Sequence, residues 1–188
     1  MPDPTLEHGA TPWHAWRDAV ARPTVDAAVR ELYARLDADV ARRGPTCWVS
    51  GRCCNFDAFD HRLYVTGLEI AWFLKEISGA ASCVSSSPSQ ATTGLSLPQF
   101  HPRPEPRAPN PDLPASCRYQ VDGKCSTHTV RPLGCRIFFC QAGTEQWQGE
   151  LYETYLDQLR ALHERESLPY RYLEWRAGLI EADAAIGG

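Results

Sequence analysis

Seven of the eight cysteines fall into two groups on either side of a proline-rich stretch, and this division constrains the fold more than any other feature. Cys47, Cys53 and Cys54 lie in CWVSGRCC (47–54), and Cys117, Cys125, Cys135 and Cys140 follow the stretch. Cys83 stands apart at its edge. From about 84 to 115 the composition turns to Ser, Thr and Pro, and eight of the fifteen prolines lie between Pro88 and Pro114. Such a segment can neither propagate a helix nor pair as a central strand. It is expected to be a flexible insertion. Because each half carries only part of the cysteine set, the insertion should join two halves of a single domain spanning residues 1–188.

The compartment decides what a cysteine cluster can be. The first residues, MPDPTLEHGATPWHAW, show no basic and apolar leader, and no apolar run approaches the roughly 20 residues of a membrane helix. A cytoplasmic protein is expected, not a membrane one. Reducing couples there keep ordinary thiols unpaired, so clusters more often hold metal than form disulfides. A disulfide framework remains the competing reading. The net charge of −4, with lysine only at Lys75 and Lys124, argues against a nucleic-acid partner, which requires clustered positive charge.

The periodicity predicts a mainly α domain. A short helix is expected over 11–22 and a longer one over 24–43, where Val25, Val29, Leu32, Leu36 and Val40 share one face before Gly44-Pro45. Arg62–Val65 reads as a short strand. Thr66 and Glu69 form a capping-box pattern that predicts a helix over 67–77, stopped by Ser78-Gly79. Asp122-Gly123 predicts a β-hairpin between 118–121 and 124–126, bringing Cys117 and Cys125 close together. A helix is predicted over 145–166 with Trp147, Leu151, Tyr155, Leu159 and Leu162 inward. The aromatic segment LPYRYLEWRAGL should pack on the core. His163 has no evident partner.

All seven grouped cysteines sit in Gly-, Pro- or turn-rich context, the irregular loops from which metal sites draw ligands. Thiolates are soft ligands suited to zinc, copper(I) and iron–sulfur clusters, and four complete either a zinc site or a [4Fe–4S] cluster. Cys53 and Cys54 are neighbours, and in an extended backbone they would point apart. Both reach one centre only if the chain curls around it. Arg131 and Arg136 flank Cys135 and are expected to offset the negative charge of a thiolate site, with Pro132 stiffening the turn. A surface or structural salt bridge is the plainer reading of both. His128 is a weaker ligand candidate.

The later element, Cys125, His128, Arg131, Pro132, Cys135, Arg136 and Cys140, resembles that of the CxxCxxCC, or YkgJ-like, family of zinc- or iron-chelating proteins. Cys47, Gly51, Cys53 and Cys54 match the family's early element, while Ser50 stands where a second cysteine would be. The resemblance covers about 47–140, and LPYRYLEW is similar to the family's C-terminal part. It implies a metal or iron–sulfur site without a defined activity. Some flagellin lysine-methylating proteins carry a similar element, but no glycine loop for a methyl-donor cofactor stands in this chain.

Two function classes follow. One is a binding module that holds iron–sulfur or zinc through Cys47, Cys53, Cys54, Cys117, Cys125, Cys135 and Cys140, for electron transfer or for sensing of redox state or metal supply, with a protein partner unidentified. The other is an enzyme that uses the centre, or a leftover thiol, on a protein or small-molecule substrate.

Overall fold

Three stripes of apolar side chains, one on each long helix, meet in a single core. The computed structural model describes residues 12–47, 51–80 and 112–187. Ser50, Cys83 and most of the expected insertion lie outside the described residues. Among those described, six α-helices and two small antiparallel strand pairs occur, in agreement with the mainly α reading.

Helix α1 (Pro12–Ala21) buries Trp13 and Trp16, and α2 (Pro23–Arg43) buries the five residues of its predicted face together with Tyr33. Gly44 closes α2 in the left-handed conformation (φ 61°), which costs a glycine little. Strand β1 (Tyr64–Thr66) leads directly into α3 (Gly67–Ala80). There the capping box is reciprocal: Thr66 N donates to Glu69 Oε2 at 2.8 Å, and Glu69 N donates to Thr66 Oγ1 at 3.3 Å. Gly67 is needed at this junction because the Trp16 ring occupies the space of a Cβ.

Helix α3 runs through Ser78-Gly79 instead of stopping at residue 77. The Ser78 hydroxyl donates to Leu74 O at 2.8 Å, so the expected breaker is absorbed into the helix it was to end. The hairpin forms where Asp122-Gly123 predicts it, with both residues at positive φ (50° and 74°). Its strands, β2 (Gln120–Val121) and β3 (Lys124–Cys125), are shorter than expected.

Helix α4 (Leu133–Ile137) follows Pro132, and α5 (Glu145–Arg165) buries Leu151, Tyr155, Leu159 and Leu162, leaving Trp147 only half-buried. The aromatic tail does pack on the core, but as regular structure. Strand β4 (Tyr172–Glu174) pairs with β1, Val65 opposite Leu173, and α6 (Trp175–Ile186) follows. Its start was hidden because the cap is an unusual one: Glu174 accepts from Ala177 N at 3.0 Å. Trp16, Phe56, Phe73 and Trp175 are each almost fully buried, and each contributes on the order of 2–3 kcal/mol by burial. No helix among the described residues is long and apolar enough to cross a membrane.

Candidate metal centre

The first cysteine group is shaped by a tight turn. Gly51 adopts φ 68°, and Arg52–Cys54 then form one 3₁₀ turn. The chain therefore curls, and the sulfurs of Cys53 and Cys54 lie 3.9 Å apart instead of on opposite sides of an extended strand. The hairpin clamps this turn. Gln120 Nε2 donates to Gly51 O at 2.8 Å, Cys117 N donates to Cys54 O at 2.7 Å, and a Cβ at Gly51 would overlap the Gly123 carbonyl oxygen. The hairpin thus carries Cys117 and Cys125 to the side of Cys54.

The second group reaches the same place from α4 and its flanks. Cys135 lies within α4, not in an irregular loop. Thr46 N donates to Gln141 Oε1 at 2.9 Å, which ties the neighbours of Cys47 and Cys140 together. The result is a cavity of about 370 Å³ lined by Cys47, Cys53, Cys54, Cys125, Cys135 and Cys140, with Lys124, His128 and Arg131 also in its wall. Cys117 is buried beside it. Its sulfur accepts from Trp175 Nε1 at 3.3 Å.

The sulfurs share a charge problem. Hydrogen bonding from Cys54 lowers its neighbours: Cys53 to about 7, Cys117 to about 6 and Cys125 to about 5. The Cys54 thiol itself is pushed up by those bonds, to Cys117 first. Cys135 is pushed up, by burial first and then by the charges of Cys117 and Cys53.

The two arginines part company. The charge of Arg131 acts to lower both Cys53 and Cys135, and its Nε is buried without a hydrogen-bond partner. That is the placement expected of a charge-compensating group. Arg136 does not line the cavity. Its guanidinium bonds Asp37 Oδ2 at 2.6 Å, Arg131 O at 2.7 Å and Thr129 O at 2.9 Å, and it lies over the Tyr33 ring at 4.3 Å. The expected anion-facing role is thus replaced by a clasp that holds the 129–131 backbone in shape. The reason is local: once Leu133–Ile137 turns as helix, Cys135 and Arg136 project in different directions.

Sequence reasoning missed the part played by Glu69 beyond its cap. Buried at 1% exposure, it also accepts from Tyr33 Oη at 3.0 Å and Leu133 N at 2.9 Å. It thereby positions the start of α4, and with it Cys135. Among the described residues, no three His, Cys, Asp or Glu side chains are already drawn around a single metal-ion position. The thiols ring a cavity, not a point. Comparison with family models, curated proteins and solved structures finds no match to this chain.

Proposed function

We propose that this chain is a metal-binding protein that holds an iron–sulfur cluster, [4Fe–4S], or zinc through its cysteines, in a cytoplasmic redox, electron-transfer or metal-sensing role. The observation that carries the reading is one cavity walled by six cysteines from three stretches of chain, with Arg131 in the same wall. The donor set fits: it is soft and crowded, and a cationic side chain stands beside it. A cluster spreads its irons over a core, so a ring of thiols around a cavity suits it better than it suits a single ion. Cys53, Cys54, Cys125 and Cys135 would be the ligands, with Cys47 and Cys140 in the same wall and Cys117 buried beside them. Once bound, such a centre carries single electrons or, as zinc, braces the fold. The resemblance of 125–140 to the YkgJ-like element supports the same reading.

Metal analysis of anaerobically purified protein tests it. The expected result is brown protein with about four irons per chain. Colourless protein with one zinc would leave a structural zinc module, and protein without metal would overturn the reading. Cys125→Ala should lose metal and, where binding and folding are coupled, stability. The enzyme reading is favoured by one feature: Cys53 and Cys135 also line a second cavity, so the centre is approachable from another side. A thiol that alkylates rapidly in metal-loaded protein would support that reading, and complete protection of the cysteines would count against it.

A further inference from the structure

The second cavity, about 460 Å³, lies against the thiol cavity and shares Cys53, Cys135 and Phe138 with it. Five of its lining side chains are rings, and Arg62, Leu63, Ile137, Gln148 and Glu153 complete the wall with two glycines. Tyr64 and Tyr172, diagonal neighbours across the β1–β4 pair, stack with centroids 5.5 Å apart. His61 and Phe138 stack with centroids 5.4 Å apart and planes within 10°. Tyr152 of α5 also lines the cavity.

Several polar groups of this cavity are held by neighbours. The Tyr152 hydroxyl donates to Tyr64 O at 3.3 Å and is bonded to the Tyr172 hydroxyl. Arg62 is held by Asp57 at 3.2 Å. Gln148 bonds both backbone groups of Phe139. Of the lining rings, Tyr64, Tyr172 and Phe138 each leave about two-fifths of their surface uncovered. Aromatic faces select flat partners, because offset and edge-to-face contacts add to simple burial. The volume falls in the range of small-ligand pockets, and the carboxylate that lines it, the exposed Glu153, disfavours an anionic ligand.

We infer that this cavity binds a flat, fused-ring aromatic small molecule without negative charge, seated with one edge toward Cys53 and Cys135. The inference stands on the ring walls and not on the metal reading. It places a ligand against Cys53 and Cys135, which the two cavities share.

Calorimetric titration of the protein as isolated with 2-naphthol tests it, alongside decahydro-2-naphthol, the saturated analogue with the same skeleton and no flat ring. We expect saturable, one-site binding of 2-naphthol and binding of the saturated analogue weaker by at least roughly threefold. Phe138→Leu and Tyr172→Leu keep apolar bulk at half-exposed positions while removing a ring. Each should weaken 2-naphthol roughly three- to tenfold. Equal binding of the two compounds, unchanged binding in both variants, or no saturable binding at all would each overturn the inference. Metal content measured on the same samples separates the two readings. Failure to bind in metal-containing protein removes the pocket alone, and binding in metal-free protein removes the metal reading alone.

Discussion

The Glu69 carboxylate accepts a hydrogen bond from Leu133 N at 2.9 Å, across 64 residues of chain. The same carboxylate caps α3 through Thr66 N and accepts from Tyr33 on α2. One buried acidic side chain thus fixes the Arg-Pro segment against the half of the protein that carries Cys53 and Cys54. The candidate centre depends on that register, because its ligands come from both sides of the insertion.

Glu69→Gln should therefore destabilise the protein by about 2 kcal/mol, since an amide offers one acceptor where the carboxylate serves several donors. Burial, the largest influence, holds the Glu69 carboxyl above its ordinary value of 4.5. The folded state then binds a proton more readily than the unfolded one, so the contribution of Glu69 is fully present below pH 4.5. It declines as pH rises toward the folded value. Urea denaturation of both proteins across that range should show the difference largest at acid pH and shrinking as pH rises.

Gly51→Ala should cost more than about 1 kcal/mol, because φ 68° is strained for alanine and its methyl would meet the Gly123 carbonyl. The expected defect is local: the hairpin lifts from the 3₁₀ turn, and the Cys54, Cys117 and Cys125 sulfurs separate. Hydrogen exchange at Cys117 N, which is bonded to Cys54 O, should accelerate in the variant. Exchange at that amide equal to the parent's would rule this clamp out.

The helices of the core were legible because their signal is periodic and local. Val25 through Val40 and Leu151 through Leu162 repeat at helical spacing, and Thr66 with Glu69 marks a start that no distant contact needs to explain. The β1–β4 pairing was not legible. Tyr64–Thr66 and Tyr172–Glu174 are three residues each, and their partnership is set by tertiary contact, not by pattern. In the site, the cysteines that gather at one cavity were named by spacing alone. The direction of Arg136 was not, because it turns on whether residues 133–137 coil as helix, and five residues after a proline carry too little periodicity to decide that.

Arg136→Ala should destabilise the protein by about 2 kcal/mol or more, leaving the carbonyls of Thr129 and Arg131 without their donor. Arg136→Lys should recover little, because a single ammonium on a flexible stem cannot span Asp37 and both carbonyls in the fixed fork that guanidinium provides. Chemical denaturation of the two variants checks this. Full recovery by lysine would mean that charge alone matters at this position.

His163 supplies the clearest pH test away from the thiols. It is almost fully buried on α5, its Nδ1 lies 2.9 Å from Pro169 O, and Tyr170 meets its ring edge-on. Since a carbonyl only accepts, Nδ1 carries the proton, and Nε2 is left buried without a partner. Burial holds its pKa below the ordinary 6.5. Between that lowered value and 6.5 the unfolded chain binds more protons than the folded one, so stability is fully present above pH 6.5 and falls as pH drops toward the folded value. His163→Phe keeps the ring contact with Tyr170 but neither titrates nor bonds Pro169. At neutral pH it should cost about 1 kcal/mol for the lost hydrogen bond. On acidification that cost should shrink and then reverse, because only the histidine protein must force a proton into a buried site. Urea midpoints for the two proteins across this range should converge as the pH falls, and parallel curves would show that His163 does not titrate in the fold.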